Sequence, residues 1–245
     1  MDGPRSVAGT ATSTASDRET VQEFEELGIV AFTTTRTAGT FGSAGSEPVS
    51  EVLERWGSMR RALGDPAPRL ATASQVHGAD VVVHAGGWRG WLRGDAADGH
   101  LALERGTAMA VTVADCVPVF VAHIDGTCAV LHSGWRGTAA NIVGKAIARI
   151  CEERNAADLR VHTGPAICGR CYEVSPEVLR QVTGRSADRA GLLDLRDIIA
   201  QQATEEGVQH ISRSPSCTRC DNDRFFSHRA GDSGRQIGVI YAPRA

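Results

Sequence analysis

The sequence contains no stretch of 18 consecutive apolar residues and no long run of lysine and arginine. The first absence argues against a membrane-spanning helix, which needs about 20 apolar residues. The second, with a formal net charge of -3, gives little support to nucleic acid as a partner. Neither a G-x-G-x-x-G fingerprint nor a P-loop is present, so nothing indicates a dinucleotide site or a Walker-type ATP site.

Cysteine is also too scarce for a disulfide scaffold. Seven cysteines occur in 245 residues, and we expect them to be thiols or metal ligands in a reducing compartment. Residues 1–20 are rich in Ser, Thr and Ala and lack the apolar centre of a signal peptide. We interpret them as a disordered tail, and we expect a cytoplasmic monomer.

The apolar pattern mixes strands and helices without a regular alternation. Helical spacing predicts helices over residues 49–63 and 138–153, and residues 29–36 and 107–132 have the character of strands. Residues 70–86 predict two short strands with His77-Gly78 at the bend, and "WRGWLRGDAADG" predicts a loop. Such an order favours an α/β fold in which mixed sheets form a layered sandwich.

Asp125-Gly126 predicts a two-residue hairpin turn, which sets a register between the flanking strands. In that register Ile124 faces Thr127, and His132 lies opposite Val119. Cys116 then lies three residues farther along the same strand, about 10 Å from His132. We predict that Pro118 bends the strand and closes this gap, because proline cannot donate to a strand ladder.

Two histidines and one cysteine are thus expected near strand ends. They are His77, Cys116 and His132. Zn²⁺ accepts thiolate sulfur and imidazole nitrogen, and three protein ligands leave a fourth position for water or substrate. The alternative is that the histidines are structural residues held by hydrogen bonds.

Several blocks of the chain resemble one known family. In order they are "QVHGADV", "AVTVADCVPVFV", "LHSGWRG", "GPAICGRCYEV", "CTRCDNDRFFSHR" and "SGRQIGVI". They are similar to the YfiH-like laccase-domain family, also called the polyphenol oxidase or purine nucleoside phosphorylase family, over roughly residues 29 to 242. The blocks that carry the family's three metal ligands fall on His77, Cys116 and His132.

The resemblance implies a single YfiH-like sandwich domain over residues 21–245, with zinc as cofactor. It implies purine nucleosides (adenosine, inosine, guanosine and methylthioadenosine) and phosphate as substrates of a phosphorylase, with adenosine deamination as a side activity. The laccase label implies copper-dependent phenol oxidation. We do not expect that as the main chemistry, because multicopper oxidases need several histidine-rich sites and the eight histidines form no H-x-H pair.

The chain departs from the family pattern at three places. Arg36 precedes "TAGTFGSAG", which lacks the family's asparagine; Ser133 replaces an alanine; and His228 stands where the family often has tyrosine. Arg36 and Arg136 are candidate phosphate ligands, because guanidinium binds phosphate bidentately. The glycines around Arg136 and the helix that follows would assist. A surface arginine paired with a carboxylate is the alternative for both.

Three further residues are candidates for the site, each with an alternative role. Asp115 would orient a ligand or transfer a proton, or hold a turn. Trp135 would stack on the purine, or pack in part against the core. Gln75 would bind substrate or a ligand, or bond to backbone. With Cys116, His132 and Arg136, Asp115 completes the predicted catalytic set.

Cys168-x-x-Cys171 and Cys217-x-x-Cys220 raise the possibility of a second zinc, because paired C-x-x-C motifs build Cys₄ sites. The 45 residues between the pairs exceed the usual spacing of about 15 to 20. The pairs therefore need not meet, and we expect separate packing or loop roles, with a second zinc as the alternative.

Two other functions fit the same residues. In a Cys-His hydrolase Cys116 would be the nucleophile and His132 the base, and known relatives suggest cell-wall precursor peptides as substrates. A metal-binding partner protein without catalysis is the other alternative.

Overall fold

Aliphatic and β-branched residues form two six-stranded sheets in this computed structural model, which describes residues 17–244. Sheet 1 has the order β1-β2-β14-β7-β3-β5, and sheet 2 has the order β13-β10-β8-β9-β6-β4. Over the described residues the strands are β1 (Arg18–Thr20), β2 (Val30–Thr34), β3 (Arg69–Ala73), β4 (Val81–His84), β5 (Gly90–Gly94), β6 (Gly99–Ala102), β7 (Thr107–Val113), β8 (Val117–His123), β9 (Cys128–Ser133), β10 (Leu159–Thr163), β11 (Glu173–Val174), β12 (Gly191–Leu192), β13 (His210–Arg213) and β14 (Gln236–Tyr241).

Helices cover the outer faces of both sheets. The α-helices of the described residues are α1 (Val49–Leu63), α2 (Trp135–Ala139), α3 (Ile142–Cys151), α4 (Pro176–Thr183) and α5 (Leu195–Glu205). Short 3₁₀ turns occur at Gln22–Leu27, Arg36–Ala38 and Ala156–Asp158. Helix α1 matches the predicted bounds, since Val52, Trp56 and Leu63 recur at helical spacing and are buried.

Period-two alternation divides the apolar residues between three cores. In β9, Val130 faces the core between the two sheets, while Leu131 faces the core beneath α3 and α5. Trp56 of α1 belongs to a third core on the outer face of sheet 1. The layers are therefore helix, sheet, sheet and helices, which confirms the predicted mixed-sheet α/β sandwich.

Three predicted elements need correction. The end of the predicted tail forms β1, which pairs antiparallel with β2; residues 1–16 lie outside the described residues. The predicted loop "WRGWLRG" contains β5, which pairs parallel with β3 despite its glycines. The predicted helix 138–153 is two helices, because Asn141 adopts φ +54° and caps α3 by accepting a hydrogen bond from the N–H of Gly144.

The predicted hairpin register is wrong by one residue. The loop has three residues rather than two, because the N–H of His123 donates to Thr127 and the N–H of Gly126 donates to His123. Gly126 has φ +100°, as expected for the last residue of such a loop. His132 consequently lies opposite Pro118 rather than Val119, one residue nearer to Cys116.

Candidate metal centre

The candidate site lies where the chain passes from sheet 1 to sheet 2. Strand β3 pairs parallel with both β5 and β7, so these three strands end at the same edge. After each of them the chain crosses into sheet 2, through residues 74–80, 95–98 and 114–116. Strand β9 runs antiparallel to β8 and therefore ends where these crossings arrive. The crossings and the end of β9 supply the residues of the site.

His77, Cys116 and His132 meet at this edge. Each offers one ligand atom, and these atoms lie within 4.8 Å of one another. The rings of His77 and His132 are 4.7 Å apart between centroids and nearly perpendicular. His132 is buried, whereas His77 is exposed, so the trio is open to solvent on the His77 side. The predicted gap between Cys116 and His132 is closed.

Asp98 is a site residue that the sequence reasoning missed. One of its carboxylate oxygens, Oδ1, lies 2.7 Å from Nδ1 of His132, which leaves the Nε2 atom of that ring for the trio. The carboxylate also accepts hydrogen bonds from the backbone N–H groups of Val76, His77 and Gly78. Asp98 therefore positions two of the three candidate ligands at once. Its sequence neighbours, "AADGH", resemble a simple turn and give no signal of these long-range contacts.

Hydrogen bonds and neighbouring charges favour the charged forms of Asp98, Cys116 and His132. Burial would raise the pKa of the Asp98 carboxyl, but its hydrogen bond to His132 and backbone donors hold it at about 2. Burial acts likewise on Cys116, and the two imidazoles lower the pKa of this thiol to about 6. Burial opposes the charge of His132, and Cys116 and Asp98 raise its pKa to about 9. A thiolate is therefore available to a metal near neutral pH.

Two glycines of "SGWRG" are required for close approach. A Cβ atom on Gly134 would lie 3.0 Å from Sγ of Cys116 and 3.4 Å from the ring of His77. A Cβ atom on Gly137 would lie 2.9 Å from the carbonyl oxygen of Gly78. Both glycines therefore have a packing role, and the expected contact of their backbone N–H groups with an anion stays a prediction. The helix that was expected to assist anion binding through its N-terminus is α2. It has only five residues, so its dipole contributes less than expected.

Asp115 holds loops together rather than facing the cavity. Its backbone has φ +78°, which is uncommon for a residue with a side chain. Its carboxylate accepts 2.6 Å hydrogen bonds from the hydroxyl of Thr218 and from the N–H of Arg229. Its carbonyl accepts one from the N–H of Ile167. These contacts favour a positioning role for Asp115 over proton transfer.

The trio lies in the wall of a cavity of about 520 Å³. Gln75 lines this cavity, but its amide is used by Thr112, which it joins through three hydrogen bonds. The lining also includes residues for which no sequence pattern indicates a site role, among them Trp56, Trp91, Arg93, His228 and Arg235. The two indoles stack with centroids 5.3 Å apart.

Arg36, Trp135 and Arg136 do not line this cavity. Arg36 forms a 2.7 Å ion pair with Asp232 and lies over the ring of Phe226. These contacts favour the alternative of an arginine paired with a carboxylate. Trp135 packs against the core of sheet 2, and the guanidinium of Arg136 stacks on it at 4.3 Å. Within residues 17–244 no carboxylate forms an ion pair with Arg136, so that alternative does not apply to it.

The residues present fit a metal ion. A thiolate and two imidazoles are the donors that Zn²⁺ prefers, and copper accepts the same atoms. Gly134 leaves free the space that a side chain would fill between Cys116 and His77. Asp98 supplies the carboxylate that commonly orients a metal-bound histidine.

The two C-x-x-C pairs meet as well. All four Sγ atoms lie within 4.8 Å of one another, and they belong to Cys168, Cys171, Cys217 and Cys220. The 45 intervening residues do not require the pairs to meet, but the structure brings them together, which favours a shared site over separate packing roles.

Comparison with known proteins places these features in a family. The family model described as multi-copper polyphenol oxidoreductase laccase matches residues 37–243. Purine nucleoside phosphorylase SCO2081 of Streptomyces coelicolor is 34% identical, over 82% of this chain and 86% of that protein. Purine nucleoside phosphorylase YfiH of Escherichia coli is 30% identical, over 74% of this chain and 76% of that protein.

Solved structures agree with this assignment. YlmD of Geobacillus stearothermophilus is 28% identical and superposes with a TM-score of 0.79, over 89% of this chain and 93% of that one. The YfiH protein of Bacillus licheniformis has the same fold, with a TM-score of 0.82 at 24% identity over 93% of this chain and 97% of that one. The chain belongs to the multi-copper polyphenol oxidoreductase laccase family, the laccase-domain family that includes the YfiH proteins.

Proposed function

We propose that the protein is a zinc-dependent purine nucleoside phosphorylase, with adenosine deamination as a side activity. Adenosine, inosine, guanosine and methylthioadenosine are the proposed nucleosides. Two curated relatives carry the name purine nucleoside phosphorylase. The observation that carries the proposal is the position of His77, Cys116 and His132, whose ligand atoms converge in the wall of a cavity large enough for a nucleoside.

The chain's own residues would prepare this centre. His77, Cys116 and His132 would hold the metal, and Asp98 fixes the ring of His132 and the loop of His77. Bound Zn²⁺ supplies Lewis acidity, which polarises a substrate atom or activates water. Since the trio is a three-ligand set, a fourth position remains for that atom.

Phosphorolysis requires an anion site beside the sugar. A phosphate oxygen bonds to C1′ of the ribose as the bond from C1′ to the purine nitrogen breaks, and the electron pair leaves with the purine. Arg93 and Arg235 line the cavity, and within residues 17–244 neither forms an ion pair with a carboxylate. We assign phosphate to them, with Arg93 as the freer group, because Arg235 donates to three backbone carbonyls.

The purine requires an apolar face and a proton. Trp56 and Trp91 form a stacked pair in the cavity lining and offer an aromatic edge to a base. His228 lines the same cavity, and its imidazole is the proposed donor of a proton to the leaving purine. Arg136 lies outside the lining of this cavity and stays a candidate for a second anion contact, because its guanidinium stacks on Trp135 and forms no carboxylate ion pair within residues 17–244.

One observation favours a second function, the Cys-His hydrolase. Asp98, His132 and Cys116 form a relay in which a carboxylate orients an imidazole beside a thiolate. A hydrolase of this type needs no metal. It therefore predicts activity that survives chelation and is lost on alkylation of Cys116, whereas the phosphorylase loses activity in both treatments.

The test is a product assay on metal-loaded protein. Purified protein is incubated with each nucleoside and phosphate, with and without chelator, and free base, ribose 1-phosphate and inosine are separated by chromatography. Chelated samples are reloaded with zinc or with copper to identify the metal. Cys116→Ala should abolish product, and Cys151→Ala, which removes a thiol remote from the trio, should not. Equal turnover by wild type and Cys116→Ala would reject the proposal.

A further inference from the structure

Four cysteines form a second cluster, separate from the trio. Sulfur atoms of Cys171 and Cys220 are 3.4 Å apart, and all four sulfurs lie within 4.8 Å of one another. In a tetrahedral zinc site with Zn–S bonds of about 2.3 Å, neighbouring sulfurs are about 3.8 Å apart. All seven cysteines are free thiols, so no disulfide occupies the cluster. The arrangement matches the size of a zinc tetrahedron.

Strand pairing explains how residues so far apart in the chain meet. Strands β10 and β13 are parallel neighbours, so the segments that follow them leave sheet 2 at the same edge. Their continuation forms a further parallel bridge between Ala166 and Cys217, and the N–H of Thr218 donates to the carbonyl of Ala166. Each C-x-x-C pair begins at this point. The long intervening segment is therefore an excursion through α4 and α5 that returns to β13.

Packing does not account for these thiols. Cysteine without a chemical role behaves as a small buried apolar residue, as Cys128 does here. In the cluster only Cys217 is buried; Cys168 and Cys171 are half-buried, and Cys220 is exposed. Because this cluster is open to solvent, burial of its thiols adds little hydrophobic stabilisation to the fold.

The surroundings suit a thiolate site. The N–H of Cys168 points to Sγ of Cys217 at 3.3 Å, and the N–H of Cys171 closes a turn onto the carbonyl of Cys168. A concavity that contains Cys168, Cys217 and Cys220 is also lined by Arg170 and Arg213. Asp194 and Asp221 line the same concavity, and Arg213 pairs with Asp197. Four thiolates around one Zn²⁺ carry a net charge of −2, and Arg170 is the arginine of this concavity that has no carboxylate partner within residues 17–244.

We propose that Cys168, Cys171, Cys217 and Cys220 bind a second, structural zinc ion. The site is closed, because four thiolates complete the tetrahedron and leave no position for substrate. Its role is to fasten two segments that both hold Asp115. Ile167 lies next to Cys168 and donates to the carbonyl of Asp115, and Thr218 lies next to Cys217 and donates to its carboxylate. The ion therefore supports the residue that precedes Cys116.

The first measurement is the number of metal ions per chain. Full-length protein is produced in zinc-supplemented medium, desalted and analysed for zinc by elemental analysis. Wild type should hold two ions, and the double variants His77→Ala/His132→Ala and Cys171→Ser/Cys220→Ser should each hold one. Cys151→Ser, which removes a half-buried thiol outside both clusters, should hold two.

The second measurement identifies the donors. When His77→Ala/His132→Ala is reloaded with Co²⁺, tetrahedral thiolate coordination should give intense thiolate-to-cobalt charge-transfer and visible d–d absorption. Adding Cys171→Ser and Cys220→Ser should abolish these bands. This readout does not depend on catalysis, and the first variant keeps all four cysteines, so it stays informative if the cysteine variants fail to fold.

Two results would overturn the proposal. One is a His77→Ala/His132→Ala protein that is folded by circular dichroism and retains no zinc. The other is a wild-type protein that shows fewer than seven reactive thiols after denaturation with chelator, which would reveal a disulfide in the cluster.

Discussion

Asp98 and His132 form a buried carboxylate–imidazole pair, with 2.7 Å between Oδ1 and Nδ1. The same carboxylate receives three backbone N–H groups from the loop that carries His77. One side chain therefore sets the ring orientation of one candidate ligand and the backbone of another.

Asp98→Asn should weaken zinc binding by about 10- to 100-fold, the range typical of residues that orient metal ligands. The amide keeps the size of the side chain but removes the charge that orients His132. The measurement is competition for zinc against a chelator of known affinity. Asp95→Asn alters an exposed carboxylate on the same crossing segment and should bind like wild type. Identical affinity of both variants would remove Asp98 from the site.

Gly134→Ala should weaken zinc binding by about 5- to 160-fold. The new methyl group would stand 3.0 Å from Sγ of Cys116, and relieving such overlap costs about 1–3 kcal/mol. Gly94→Ala is the matched control, because its nearest neighbour would be 3.9 Å away. Zinc titration and thermal unfolding of both variants test this. A Gly134→Ala protein with unchanged zinc affinity would show that the trio does not close around an ion.

Arg93→Gln should raise KM for phosphate about tenfold, since one charge-assisted contact of about 1.4 kcal/mol is lost. KM for the nucleoside at saturating phosphate should change little. Arg89→Gln removes an exposed arginine that pairs with Asp65 and serves as the control. Steady-state kinetics with each substrate varied in turn separate the two constants. An equal rise in both values would assign Arg93 to folding of the cavity rather than to phosphate.

His100 should make the fold acid-sensitive. Burial lowers its pKa to about 3 from an ordinary 6.5, with the nearby His84 acting in the same direction. The unfolded chain therefore binds more protons than the folded chain between these values. The free energy of unfolding falls as pH drops from 6.5 towards 3, by at most about 1.4 kcal/mol per pH unit from this group.

His100→Asn should reduce this slope, because asparagine does not titrate. Urea unfolding at several pH values, with chelator present in all samples, measures it. His210→Asn, at an exposed histidine, should keep the wild-type slope. Parallel curves for wild type and His100→Asn would contradict the assignment.

The sequence predicted what depends on local pattern. Helix α1, for example, follows from the spacing of its apolar residues. The metal trio required the family resemblance, because its members lie 39 and 16 residues apart. The turn prediction correctly placed Cys116 and His132 at the same end of the hairpin, but its strand register was wrong by one residue.

Features that depend on long-range contacts escaped sequence reasoning. The sequence around Asp98 is typical of a turn. Only the structure shows that its carboxylate accepts hydrogen bonds from three backbone N–H groups of the loop that carries His77. A shared Cys₄ site was only the alternative prediction, because the parallel pairing of β10 and β13 that brings the two C-x-x-C pairs together has no local signal in the sequence. The cavity role of Trp91 has no signal in the sequence, because glycine and arginine are frequent in β5 and favour the prediction of a loop.

The passage of the chain between the two sheets has a mechanical consequence. His77 and Cys116 lie on separate crossings from sheet 1, and His132 belongs to a strand of sheet 2. An ion bound by all three residues would link sheet 1 to sheet 2. Loss of the ion would first weaken the contacts between the crossing segments and β9, and would leave the three apolar cores largely intact. The metal-free protein should therefore open locally at this edge before it unfolds globally.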